Sequence, residues 1–306
     1  MKREKLPILV VAFNRADHVA QAMEAIRRYQ PQRLYLECDG ARPGKTGEVE
    51  AVAQTRQAML DAVDWPCEVK TLFREENLGC AYAVSGAISW FFEQEEWGVI
   101  IEDDVVVGQD FFRLCEELLP RYKDDERVME ISAQNHYPNP LQRNTYVYAN
   151  DFHCWGWATW ARAWKRMDME MLHFPQWSRL RLIRTFDIFR GLMMHHYWKV
   201  VYRAPHKSTS WATRWFFAII HHGGLVIEPG DNLAINIGMD GGAHYSRYDK
   251  DPYAHLCIGS LEWPLLYDDQ AVLNSERLRI SNRDFKRIRW MGVVKKMRRL
   301  LHIKPS

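Results

Sequence analysis

The chain has 306 residues, long enough to bury a substantial core in one large domain or two closely packed ones. Charged residues make up 26% and the formal net charge is only +2, so the overall balance demands no polyanionic partner. Six scattered cysteines form no CxxC pair, which excludes a zinc ribbon and a secreted disulfide framework and fits a reducing cytosol.

The start, Met1-Lys2-Arg3-Glu4-Lys5, has the charge of a signal peptide. The short apolar run behind it, however, leads into Asn14-Arg15 instead of a small-residue cleavage site. Residues 8–12 therefore read as a buried strand. Helical spacing follows over 17–29, then a short strand at 34–36 that ends in Cys38-Asp39-Gly40, and a loop through Gly47. A helix over 49–63, a strand over 67–73 and an apolar helix over 79–92 lead to a strand at 97–101. That strand runs straight into Glu102-Asp103-Asp104. Repeated βα units predict a parallel α/β sheet with right-handed crossovers and ligands beyond the carboxyl ends of the strands. Arg15, Asp39, Arg74 and the 102–104 cluster all fall at or just after those ends.

The second half reads as more irregular. It carries an aromatic block over 152–160, helical spacing over 179–201, and an apolar helix ending at Gly223-Gly224. A strand at 225–227 then opens a loop that runs through residue 244. Thirteen Trp, 13 Tyr and 13 Phe supply flat faces that suit a sugar ring or a base as well as a core. The expected division is a βα-repeat half over 1–135, a more irregular half over 136–275 and a basic helix over 276–306. No run approaches the roughly 20 apolar residues that span a bilayer, so the expectation is a cytoplasmic protein, soluble or lying on a membrane surface.

Three adjacent carboxylates repel one another unless a cation neutralises them. A hard divalent ion, Mn²⁺ or Mg²⁺, shared with phosphate oxygens is the usual solution. The competing reading has Asp103 and Asp104 capping a helix that begins near Gln109-Asp110. Arg15 suits a phosphate or a uracil face, and Asp39 a base or a ribose. Among His153, His221, His222 and His244, the last is the best placed for a metal or a diphosphate, in a Gly-rich loop. Neither a Ser/His/Asp order, a Walker loop nor a GxGxxG occurs.

Taken together, Pro7 through Arg15, Glu37-Cys38-Asp39-Gly40, and Val99 through Val105 resemble the GT-A glycosyltransferases related to N-acetylglucosaminyltransferase I. The likeness continues through Asp110-Phe111-Phe112, Ile131 to Asn135, and Asp151-Phe152 with Gly156-Trp157. Bacterial glycosyltransferases of that type are also similar in their Trp-Gly-Trp-Ala-Thr-Trp block and in Asn236-Ile237-Gly238. The resemblance covers most of residues 7–246. It implies a GT-A, Rossmann-like α/β fold with a mostly parallel sheet flanked by helices. It also implies inverting transfer from a UDP-sugar to a glycan or lipid-linked acceptor in bacterial cell-surface polysaccharide synthesis.

On that resemblance Asp104 ligates the metal, Asp103 lies near the ribose and Glu102 near the donor sugar. Arg15 and Asp39 bind the nucleotide, with Arg74 counted beside them, and His244 folds over the donor. One departure concerns the catalytic base, an aspartate that the family places just after a Trp; here the segment is Trp211-Ala212-Thr213. Glu228, Asp231, Asp240 and Asp151 are then the candidates, unranked by sequence. Two rival functions remain. A sugar nucleotidyltransferase lacks its Gly-rich phosphate loop here, since Ala12-Phe13-Asn14-Arg15 follows the first strand. A non-catalytic, membrane-bound member of a glycan assembly complex is suggested by Ala212 and by the tail.

That tail, residues 277–304, is dense in Lys and Arg with Asp284 its only acidic residue. Phe285, Ile288, Val293, Met297, Leu300 and Leu301 recur at helical spacing. Such a helix either docks on an anionic membrane or packs on its own domain with a solvated basic face.

Overall fold

Strand β1 (Ile8–Ala12) is buried at every residue and sits between two parallel neighbours, β2 (Arg33–Cys38) and β4 (Trp97–Glu102). Its unbroken apolar run is what a strand covered on both faces requires. The connecting helices are α1 (Ala16–Tyr29), α2 (Glu48–Asp61) and α3 (Gly79–Phe92), with β3 (Glu68–Phe73) parallel to β2 at the edge. Helix α1 buries Val19, Ala22, Met23, Ile26 and Tyr29, one stripe at helical spacing. The computed structural model describes residues 5–207, 210–238, 253, 256–268 and 270–300.

Beyond β4 come β5 (Val105–Val107), α4 (Gln109–Arg121), β6 (Val128–Ser132), β7 (Tyr146–Ala149), β8 (Trp157–Trp160) and the short α5 (Ala161–Trp164). The eight-stranded sheet has the order β3-β2-β1-β4-β8-β6-β9-β7, where β9 is Leu225–Pro229. Strand β8 lies antiparallel to both β4 and β6, and β7 antiparallel to β9; the other pairs are parallel. The architecture is therefore mixed α/β with a large, mostly parallel sheet flanked by helices. The strand expected at 225–227 is β9, and the half expected to be irregular also supplies β7 and β8, the latter formed by the end of the aromatic block. Its order was hidden because β8 pairs only with strands distant in sequence.

Strand β8 explains much of the tryptophan content. Trp157 and Trp160 point to opposite faces, and both are fully buried. Trp157 stacks on Trp211 with centroids 5.5 Å apart and lies 6.0 Å from Trp215 of α8 (Ala212–His221). On the other face the Trp160 indole donates to the Leu119 carbonyl of α4 at 2.9 Å.

Two compact units arise, Met1–Met169 with Thr209–Val272, and Glu170–Ser208 with Leu273–Ser306. The second is helical. The helical region expected over 179–201 is two helices, α6 (Arg179–Thr185) and α7 (Ile188–Arg203). The break follows from capping: the Asp187 carboxylate accepts from the Arg190 amide at 2.7 Å and starts a new helix. Within this unit α9 (Ser275–Leu300) joins α7 through buried Arg190, whose guanidinium donates to Ser281 Oγ at 2.9 Å and Asn282 Oδ1 at 3.2 Å. No described helix is long and apolar enough to cross a membrane.

Candidate active site

The acidic cluster forms where β4 runs out of partners. Glu102 is the last residue of β4, opposite Val11, and Asp103 and Asp104 make the turn into β5. Helix α4 starts only at Gln109 with Gly108 at its N-cap, so neither aspartate caps it. Asp103 Oδ2 accepts from the Phe13 amide at 3.2 Å, which ties the cluster to the end of β1. Asp104 faces two side chains: Arg15 Nη1 donates to Oδ2 at 3.4 Å and Asn236 Nδ2 to Oδ1 at 3.2 Å.

Asn236 is delivered by β10 (Ala234–Asn236), which pairs antiparallel with β5. The Ile237 amide then donates to the Asp104 carbonyl at 2.8 Å, so the chain crosses directly over the aspartate. A Cβ at Gly238 would lie 2.3 Å from Asp104 Oδ2 and 2.9 Å from Arg15 Nη1. Only glycine leaves room there for both the carboxylate and the arginine.

Burial raises all three carboxyls, and repulsion from neighbouring carboxylates adds to it for Glu102 and Asp103. Glu102 is pushed well above the usual range and Asp103 up to about 7. Asp104 is also raised, with Arg15 and His18 acting in the opposite sense. Full ionisation of the cluster is therefore costly, and either retained protons or a bound cation relieves it. Among the described residues no three His, Cys, Asp or Glu side chains form a metal cage. Mg²⁺ and Mn²⁺ need no such cage, since one or two carboxylates suffice when phosphates and water complete the shell. Both side-chain contacts of Asp104 lie at the long end of the hydrogen-bond range, so a cation displaces them at little loss. The donor set fits a hard divalent ion.

The other strand-end residues have partners of their own. Asp39 is 5% exposed. Its oxygens accept from the Gly40, Leu78 and Gly79 amides and from Asn77 Nδ2, at 2.9–3.0 Å. It therefore pins the loop that opens α3. The next residue of that helix, Cys80, is pushed up to about 12 by burial and then by Glu102, Asp103 and Asp104, which sets the start of α3 beside the cluster. Arg74 pairs with fully buried Glu37 at 3.1 Å, whose carboxyl burial raises to about 8 against the pull of Arg74.

A second polar group lies behind the cluster. His153 Nε2 is 3.2 Å from Glu228 Oε1, and Glu228 is 1% exposed. Glu130 on β6 is fully buried and accepts from the Trp215 indole at 3.0 Å. Its carboxyl is raised far above the usual range by burial, with Glu228 adding to it. The Cys154 thiol is raised by burial and then by Glu102, Asp104 and Glu130. The short segment 153–154 therefore spans from the acidic cluster to the interior glutamates. Beside it the His136 and His153 rings sit 4.4 Å apart.

Of the other proposed bases, Asp231 is engaged locally. It pairs with Arg143 at 3.2 Å and accepts from the Asn232 and Ser260 amides at 2.8 and 3.3 Å. Asp151 is buried two residues before His153. Asp240 and His244 lie outside the described residues. Ala212 opens α8 and packs against the tryptophan cluster. His221 and His222 sit at the far end of α8, their rings 4.7 Å apart. Sequence reasoning missed Glu130, although a lone glutamate inside Val128-Met129-Glu130-Ile131 was a signal. It also missed the pairing of His153 with Glu228, which lie 75 residues apart.

No family model and no curated protein matches this chain. Among solved structures it is similar to mouse xyloside xylosyltransferase 1 in its apo form, at 13% identity and TM-score 0.38, over 72% of this chain and 84% of that one. A UDP-glucose pyrophosphorylase complexed with UDP-glucose is similar at 9% identity and TM-score 0.33, over 53% of this chain and 79% of the other. The glycosyltransferase GlyE of Streptococcus pneumoniae TIGR4 is similar at 11% identity and TM-score 0.31, over 57% of this chain and 41% of its own.

Proposed function

We propose that this chain is a metal-dependent, inverting glycosyltransferase that moves a sugar from a UDP-sugar to a glycan or lipid-linked acceptor, in the manner of the N-acetylglucosaminyltransferase I family. The observation that carries the reading is the convergence of Asp104, Arg15 and Asn236 at the carboxyl edge of β1 and β4. Open α/β sheets hold their ligands at that edge. Asp104 holds Mn²⁺ or Mg²⁺, Asp103 faces the ribose and Glu102 the donor sugar. Bound there, the cation neutralises charge that develops on the departing diphosphate. Arg15 turns its fork of donors from Asp104 to the diphosphate oxygens. Asp39 holds the loop at the start of α3, beside which the nucleotide lies, and Arg74, anchored on Glu37, faces the nucleotide from the end of β3. To His244, outside the described residues, we assign contact with the donor, on the family resemblance alone.

For the acceptor hydroxyl, the pairing of His153 with Glu228 favours that pair over Asp231, whose oxygens are held by Arg143 and two amides. Glu228 fixes the imidazole and stabilises its charged form, while His153 takes the proton. Asp151 and Asp240 stay unranked, the latter outside the described residues. The setting we infer is bacterial cell-surface polysaccharide synthesis on the cytoplasmic side.

The sugar nucleotidyltransferase reading is disfavoured by the turn after β1. There Arg15 reaches Asp104 and Asn14 reaches Glu48, with no glycine-rich cradle. Calorimetric titration of UDP with Mn²⁺ and then with EDTA tests the proposal. Micromolar binding that EDTA removes supports it, whereas absence of binding in both conditions rejects the donor site and leaves the non-catalytic reading.

A further inference from the structure

Charge is segregated along this chain. The helical unit, Glu170–Ser208 with Leu273–Ser306, holds 18 Lys and Arg against 4 Asp and Glu, a net of +14 in a chain whose total is +2. The sequence pattern placed this character in the tail alone; the structure adds α6 and α7 to it.

Helix α7 has two apolar faces. Arg190, Gly191, Met194, Trp198 and Val201 form the buried one. Ile188, Leu192 and Val200 lie on the opposite side and are 69%, 43% and 54% exposed, with exposed Arg203 on the same side. Leu180 of α6 is 55% exposed between exposed Arg179 and Arg181. Apolar side chains set among cations in this way suit the boundary between headgroups and acyl chains. Within the same unit, Arg279, Arg283 and Lys286 stand on successive turns of α9 and line a cleft of about 440 Å³ with Asn282 and Ser275. Asp187 is the one carboxylate on that lining. Guanidinium and ammonium groups so spaced match the phosphate of an anionic lipid headgroup.

We propose that the helical unit docks this protein on an anionic phospholipid bilayer, with Ile188, Leu192 and Val200 entering the interface and the α9 cleft receiving a headgroup. A nucleic acid would use the cations but has no need of exposed aliphatic residues, so the bilayer accounts for both features.

Flotation of the full chain with vesicles tests this directly. Vesicles of equal parts phosphatidylglycerol and phosphatidylcholine are expected to carry the protein, pure phosphatidylcholine is not, and added salt should weaken the association. Replacing Arg279, Arg283 and Lys286 together by Ala should weaken binding about a hundredfold, from roughly fivefold per basic residue. Ile188→Ser with Leu192→Ser and Val200→Ser should weaken it about tenfold or more while leaving far-UV circular dichroism unchanged. Equal binding to neutral vesicles, no binding to either kind, or full binding by both variants overturns the proposal. Capture of the protein by duplex DNA without vesicle binding overturns it as well.

Discussion

The α/β unit holds 23 Lys and Arg against 35 Asp and Glu, a net of −12, and several of its carboxylates lie inside: Glu37, Glu130 and Glu228 are at most 1% exposed. The helical unit carries the opposite sign, and Arg179, Arg279, Arg283 and Lys286 all face solvent. Buried charge is a standing cost that a bound cation or a transferred proton relieves, so it is specific in space and sensitive to pH. Exposed charge costs little, acts over a Debye length, and is tuned by salt. In the roles proposed above, one unit does chemistry at a point and the other adheres over an area.

The largest effect should come from the core beneath the buried carboxylates. Trp215→Ala removes a fully buried indole and the donor to Glu130, and is expected to cost about 3–5 kcal/mol in urea denaturation. A loss below about 1 kcal/mol would mean that the Trp cluster does not support this unit.

Asp104→Asn should next separate stability from binding. Burial disfavours the Asp104 charge, so thermal stability is expected to hold or rise while Mn²⁺-supported UDP affinity falls about a hundredfold or more. Unchanged affinity would remove Asp104 from the metal site. His153→Gln is expected to lower kcat about a hundredfold with little change in KM, the signature of a lost proton acceptor. If KM rises instead while kcat holds, the residue binds and does not accept the proton.

The pH dependence of stability sharpens the contrast further. Asp103 is raised from 3.8 to about 7 and Glu37 from 4.5 to about 8, so the folded state keeps protons that the unfolded chain has released. Stability should therefore fall as pH rises through about 4 to 8, and Asp103→Asn combined with Glu37→Gln should flatten that slope. An identical slope in the double variant would assign the effect elsewhere. The smallest change is expected in the helical unit, where Arg279→Ala should move the denaturation free energy by less than about 0.5 kcal/mol.

Local signals in the sequence were sufficient for the first four strands and three helices, because hydrophobic runs and 3.6-residue spacing alternate cleanly there. They also located Arg15, Asp39 and the 102–104 turn at strand ends. They did not reveal β8, whose partners in β4 and β6 lie 25 or more positions away along the chain, nor the division of 179–201 at Asp187. Ranking the candidate bases was equally out of reach, since the contacts of Asp231 with Arg143 and of Glu228 with His153 join residues 88 and 75 positions apart.

By itself, then, the sequence determined where a strand must be buried and where a carboxylate cluster must end it, since both follow from neighbouring residues. Only the tertiary structure decided that Asn236 and Gly238 cross over Asp104, that Asp39 is held by its own chain, and that positive charge gathers on one unit. Each of these depends on which distant segments pair, and pairing is set by the packing of the whole sheet.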